Sequence, residues 1–330
     1  MKESSWTEDT RRLGTPVKSE QVGRRLDDYL AEKFPFFSRA SWQREIHSGV
    51  VTVNGTVARK PAQRLQQGDE LRRLHPFHEE PDVDTNMEII WCDGELAALK
   101  KPAGLPMHEA GYYRRRTVAG VLPQILGQGW TPVHRLDRET SGLLLCARQP
   151  AVRAMLTSMW TFKQVRKTYL AVTAGIPSDN FWTVDLPIKA ERQSRHNRAE
   201  ISEDGASAIT NFRVITRGHD ASLIEATPIT GKTNQIRLHM ATAGFPLIGD
   251  KMYGPNTDIL ELYRAEGNSP RVKELAGFPR HALHAWRLAL IHPLTKRELE
   301  LICPLPQDLI RLCENKNIPV TGLNPGALWV

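Results

Sequence analysis

The chain has 330 residues, 40% of them hydrophobic, enough to bury a substantial core in about two domains. Its 44 Lys and Arg against 37 Asp and Glu leave a formal charge of +7, which favours an acidic partner, most simply RNA or DNA held through its phosphates. No apolar run is long enough to cross a bilayer, no apolar leader opens the chain, and the four cysteines show neither CxxC nor metal-ligand spacing. A membrane protein, a disulfide scaffold and a cysteine metal site are therefore set aside, and reduced thiols in a cytoplasmic protein are expected.

Residues 1–18 are polar without periodicity and read as a disordered tail. Residues 19–75 read as a compact unit. Val22, Leu26, Tyr29 and Leu30 recur at helical spacing, and Pro35 stops that helix. Ser38 can cap a second helix over residues 39–47 that turns Trp42 and Ile46 inward and leaves Arg39, Gln43, His47 and Arg44 elsewhere. Gly49 closes it. Residues 50–57 then carry Asn54-Gly55, the strongest short hairpin signal. Two helices with a basic face followed by a hairpin suit a reader of RNA shape. Residues 76–86 hold two prolines and an acidic run and read as a linker.

From Met87 a second domain starts, with strands over residues 87–92 and 96–99 around Asp93-Gly94. Lys100 to Pro106 forms a basic, rigid turn. Tyr112 and Tyr113 precede Arg114, Arg115 and Arg116, which suits a loop gripping RNA: rings stack bases and guanidinium groups hold phosphate. The polar stretch from His134 to Gly142 runs into the apolar residues 143–147, a loop entering a buried strand. Asp137 thus sits on a loop anchored to a core strand. Arg135 and Arg138 flank it and would keep it ionised, so that it can serve as a nucleophile or a base. The position of Glu139 in the same loop suits a solvent-facing role.

A helix is expected from Pro150 to about Val165, then a strand over residues 167–172 that carries Tyr169. Residues 188–206, with Arg192, Arg195 and Arg198, read as a long exposed hairpin or an insertion. Thr230-Gly231 is a turn, and Thr233 starts a helix that Gly244 stops; its N-terminus favours a nearby anion. Gly231-Lys232-Thr233 matches the end of a phosphate-binding P-loop. Ala226 stands where that motif requires glycine, which excludes a nucleotide triphosphatase. Residues 280–285 precede an apolar strand around residues 288–291. Pro293, Pro304 and Pro306 punctuate the end, and residues 316–330 read as a loose tail.

Two resemblances join these stretches. Arg25-Leu26-Asp27 with Leu30, Ser38-Arg39-Ala40-Ser41 with Ile46 and Gly49, Val51 with Val53-Asn54-Gly55, and Gly68-Asp69 make residues 19–75 similar to the S-four-type RNA-binding domain. That resemblance implies RNA contact through Arg39, Arg44 and Lys60. Lys101-Pro102-Ala103-Gly104-Leu105-Pro106, His134-Arg135-Leu136-Asp137 with Thr140-Ser141-Gly142, Lys167-x-Tyr169, Thr230 to Arg237, and Gly249-Asp250 with Tyr253-Gly254 follow in order. Over about residues 87–305 the chain resembles the RluA-type pseudouridine synthases. Lys232 stands where that family usually has Arg, and Asn234 where it usually has His.

The resemblance implies an α+β catalytic fold over residues 87–315: a mixed, mostly antiparallel sheet with a central cleft and flanking helices. A small α/β RNA-binding domain would precede it. Asp137 would be the essential carboxylate, attacking the ribose anomeric carbon or removing the neighbouring sugar proton. Arg237 would pair with Asp137. Tyr169 would stack on the detached uracil and could take the ring proton. Arg135 would fill the gap left by the flipped uridine, with Arg114, Arg115 and Arg116 on the RNA. An isomerisation needs no cofactor or metal. A monomer acting on large-subunit ribosomal RNA is expected. Transfer RNA as substrate, a non-catalytic ribosome-assembly factor, and a glycosylase (which would need two carboxylates) are the alternatives.

Overall fold

The computed structural model describes residues 6–35, 37–76, 80–110, 113–190 and 198–320. The chain divides into two compact units, Met1–Glu79 and Glu80–Val330.

In the first unit, β1 (Trp6–Arg12), α1 (Leu26–Lys33), α2 (Arg39–His47), β2 (Val51–Val53), β3 (Thr56–Val57) and β4 (Leu71–Pro76) build an antiparallel sheet in the order β1-β4-β2-β3 with two helices. The Ser38 hydroxyl accepts the Ser41 N–H and starts α2. Asn54 and Gly55 both take positive φ, +52° and +79°, as a two-residue hairpin turn demands. Leu26, Leu30, Trp42, Ile46, Val51 and Leu65 form a core of this unit's own. Two readings are corrected. Residues 6–12 are not a structureless tail: they pair with β4, and Leu13 and Val17 just beyond are buried. A ladder is made by backbone groups, so polar composition did not reveal this strand. Val22 lies before α1 and is 50% exposed, so it does not belong to the helix's apolar face.

The second unit contains β5 (Glu88–Cys92), β6 (Leu96–Lys101), α3 (Val118–Leu126), β7 (Thr131–Pro132), β8 (Ser141–Ala147), α4 (Pro150–Thr161), β9 (Arg166–Ala174), β10 (Phe181–Asp185), β11 (Ile188–Ala190) and β12 (Ala199–Ile201). It continues with β13 (Ile209–Arg217), β14 (Ala221–Pro228), α5 (Gln235–Thr242), α6 (Thr257–Glu266), α7 (Pro270–Leu275), β15 (Leu283–Ile291), β16 (Glu298–Ile302) and α8 (Gln307–Asn315). A mixed sheet runs β10-β13-β14-β9-β15-β8-β6-β5, with β16 beside β15 and β7 beside β8. β8 alternates between two layers. Leu143, Leu145 and Ala147 meet Val152 and Leu156 of α4, while Leu144 and Cys146 meet Val118 and Leu122 of α3. Among the described strands, β8 and β15 make the one parallel pair, and only over two residue pairs, Ser141 with His284 and Gly142 with Ala285. Beyond it β15 turns to β16. The sheet therefore parts at its centre, where the loop of Asp137 enters.

Several further expectations shift. α4 stops at Thr161, because Lys163 adopts φ +57°. β15 begins at Leu283 and includes His284, which had read as lying before the strand. Residues 80–86 are not a free linker: Glu80 accepts the backbone N–H groups of Arg115 and Arg116, and Val83 packs on the core. The hairpin of β11 and β12 has a buried base, with Ile188 and Ala199 against Leu238 and Tyr253; Arg192 and Arg195 lie outside the described residues. α8 was not foreseen, and Ile318 after it is buried, so the expected loose tail is held at least that far. No helix among the described residues is long and apolar enough to cross a membrane.

Candidate active site

The loop between β7 and β8 is fastened along its length. At its start, His134 Nε2 accepts the Leu145 N–H at 3.0 Å, and the ring stacks on Trp160 at 5.1 Å. Accepting requires a neutral ring, and burial pushes this imidazole down to about 4. At its end, Thr140 Oγ1 meets His281 Nε2 at 2.8 Å and Ser141 Oγ meets His284 Nδ1 at 2.9 Å. Lys101 of β6 is fully buried, and its ammonium donates to the carbonyls of Pro102 and Arg138 at 2.8 and 3.0 Å. Burial, with the Arg280 charge nearby, lowers its pKa to about 7. Glu139 does not face solvent. Its carboxylate is 12% exposed and receives Lys251 Nζ at 3.0 and 3.1 Å. That cation comes from far along the chain, so nothing near Glu139 announced it.

Asp137, 27% exposed, lines a cavity of about 350 Å³ together with Arg135, Lys167, Tyr169, Lys232 and Arg237. Its cation is neither of its sequence neighbours. Arg138 turns to Glu139 at 3.4 Å and lies over the Tyr113 ring at 5.9 Å. Arg237 Nη1 stands 3.4 Å from Asp137 Oδ2. The tighter partner of Arg237 is Asp250: Nε to Oδ2 at 2.7 Å and Nη2 to Oδ1 at 2.8 Å, a buried bidentate pair. Asn234 Oδ1 accepts Nη1 at 3.0 Å, and the Tyr253 ring flanks the guanidinium at 5.3 Å. Asp250 also accepts the N–H groups of Met252 and Tyr253. Burial alone would lower the pKa of Arg237; the charges of Asp250 and then Asp137 outweigh it and raise it. The sequence reading places Asp250 in the Gly249-Asp250 motif and gives its side chain no role. Its place in the Gly249-Asp250 motif was the available signal.

The two departures from the family's pattern fall beside this clamp. Asn234 precedes α5 in the left-handed region at φ +56°, which asparagine tolerates, and this conformer lets its amide reach Arg237. Lys232 is exposed on the cavity rim. Tyr169 lies on β9 opposite Ala226 and Ala285, small residues that leave room beside its ring. Burial, and then the charge of Asp137, push its phenol up, so it stays protonated.

The expected RNA contacts are unequal. Arg135 is exposed at the cavity. In the first unit, Arg39 pairs with Asp27 at 3.1 Å and Asp28 at 2.8 Å and keeps half its surface. Buried Asp27, also held by Arg25 and Gln43, fixes that arginine in place. Arg44 donates to Ser41 Oγ at 3.1 Å, and Lys60 is exposed. Arg115 is exposed and Arg114 half-buried, whereas Arg116 is bound to Asp82 and the Pro81 carbonyl. Tyr112 lies outside the described residues.

The parted sheet, the loop carboxylate and its doubly held arginine define a class of RNA-modifying isomerase, and comparison with known proteins agrees. A family model described as RNA pseudouridylate synthase matches residues 95–242, and one described as S4 domain matches residues 24–71. The chain is 33% identical over 312 residues to the uncharacterized RNA pseudouridine synthase YlyB of Bacillus subtilis, spanning 91% of this chain and 96% of that one. It is 31% identical over 314 residues to the ribosomal large subunit pseudouridine synthase D of Escherichia coli K12, spanning 92% and 93%. The solved structure of human RNA pseudouridylate synthase domain containing 4 superposes with a TM-score of 0.56 at 26% identity, over 69% of this chain and 92% of that one. The chain belongs to the RluA-type RNA pseudouridine synthases and carries an S4 domain near its N-terminus. It is therefore an isomerase, and a purely non-catalytic RNA-binding factor is set aside.

Proposed function

We propose that Asp137, Arg237 and Tyr169 convert specific uridines of structured large-subunit ribosomal RNA to pseudouridine, in the cytoplasm and as a monomer. The observation that carries this reading is one carboxylate in a cavity wall, oriented by an arginine that a second carboxylate locks from behind. Asp137 breaks the bond between ring nitrogen and sugar, by attack on the anomeric carbon or by removal of the adjacent sugar proton. The uracil turns, its carbon 5 bonds to the anomeric carbon and loses its proton, and ring nitrogen 1, freed from the sugar, gains one, so the composition of the uridine is unchanged. Tyr169 supplies a stacking face for the loose base. Its raised pKa disfavours a phenolate, so Asp137 is the better acceptor for the departing proton. Arg135, exposed at the mouth, takes the place the uridine leaves in the RNA. The name of the Escherichia coli relative and the S4 domain support ribosomal over transfer RNA.

The test uses transcribed large-subunit RNA labelled at uridine. The intact protein should yield a carbon-linked nucleoside, and Asp137→Asn none while still binding RNA. Turnover by Asp137→Asn at the wild-type rate would remove Asp137 from its role. Released free uracil would indicate a glycosylase instead. Mapping pseudouridine in cells lacking the gene names the uridine; a loss confined to transfer RNA would overturn the ribosomal target.

A further inference from the structure

Asp137 stands between two cavities. The first, with Tyr169, belongs to the reading above. A second, of about 540 Å³, lies beyond the same loop. The two share a wall made by Arg135, Leu136, Asp137, Thr233, Asn234 and Arg237. Their far walls differ: the first has Lys167 and Tyr169, the second Met107, Tyr113 and Met252.

We propose that the second cavity takes the base of a nucleotide next to the target uridine in the RNA, stacked on Tyr113, with the phosphate joining the two at Arg135. This rests on the reading that the first cavity receives the target uridine. The shared wall is the first reason. A strand that puts one nucleotide at Asp137 must lead its neighbour away along that wall, and the second cavity opens there. The chemistry of the far wall is the second. An aromatic ring and two thioethers form a polarisable surface that fits a flat base of any sequence. Arg138 lies over the Tyr113 ring at 5.9 Å and so helps to hold it. Charge is the third. Glu139 is paired with both Lys251 and Arg138, so none of these three charges faces the base alone, and Glu109 lines the same cavity. Exposed Arg135 lines both cavities and is placed for the intervening phosphate.

The probe is a synthetic RNA hairpin containing the mapped uridine, with the fluorescent base 2-aminopurine placed on its 5′ or its 3′ side. At one of these positions, emission in the wild-type complex should differ from that in the Tyr113→Ala complex. Tyr113→Phe, which keeps the ring, should match wild type. Tyr113→Ala should also raise KM about tenfold with kcat held, the scale of one lost base–ring stack. Emission identical in wild type and Tyr113→Ala at both positions overturns the proposal, as does a Tyr113→Phe that behaves like Tyr113→Ala. Fluorescence does not depend on turnover. A Tyr113-dependent signal without pseudouridine would sink the functional reading and with it the place of that base beside a target; pseudouridine without the signal would sink the subsite alone.

Discussion

Replacing Asp250 by Asn leaves a buried guanidinium without its bidentate partner. Breaking one side of a buried pair destabilises by about 3–5 kcal/mol, and here Asp137 and Asn234 recover part of it. Asp250→Asn is therefore expected to lower the denaturation midpoint and to cut kcat at least tenfold, since Arg237 would drift from Asp137. Unchanged kcat at saturating RNA would show that the clamp does not orient the carboxylate. The histidines give a second expectation. Burial lowers His134 and His284 to about 4 and His281 well below its ordinary value. The unfolded chain takes up these protons near 6.5; in the folded chain His134 and His284 take theirs only near 4, and burial holds His281 well below its ordinary value. Their contribution is complete above about pH 6.5 and is lost as pH falls towards 4, so thermal stability should decline over that window. A midpoint flat from pH 7 to 4.5 would contradict it. Motif order singled out Asp137, Tyr169 and Arg237, and the fold brings the three to one cavity. The tighter partners of Glu139 and Arg237 were not legible in the sequence: Lys251 stands 112 residues from Glu139, and the Gly249-Asp250 motif marked Asp250 without telling what its carboxylate holds.

Gly142 is where two strands decide the shape of the cleft. It has φ +115°, and an added Cβ would run into the carbonyl oxygen of Ala285. Gly142→Ala should lose about 3 kcal/mol or more, through a strained φ and a backbone collision together, read as a shift in urea midpoint. A shift below 1 kcal/mol would mean that β8 and β15 can separate without penalty. At this scale the strong periodic elements were readable: α2, the Asn54-Gly55 hairpin, and β8 with its flanking glycine. Among the misses were β1, whose partner lies in distant β4, and α8, whose Leu309, Leu312 and Cys313 recur at helical spacing and cover β9 and β14, a signal present in the sequence but passed over.

Each of the two units has its own core, with all buried members of the first lying between residues 13 and 71. The sequence reading puts a linker at residues 76–86, and the acidic stretch there serves the second unit by binding Arg116. Removing residues 1–79 should weaken RNA binding and flatten its dependence on salt, since Arg44 and Lys60 leave with them. An affinity and a salt slope equal to those of the whole chain would exclude the first unit from the RNA.

One guanidinium serving two carboxylates leaves Asp137, Arg237 and Asp250 with a surplus negative charge at the back of the cavity, while Arg135, Lys167 and Lys232 sit around its lining and mouth. The recess is thus a polarity sieve. It admits the neutral half of a nucleotide and turns its anionic half outward, towards those three cations.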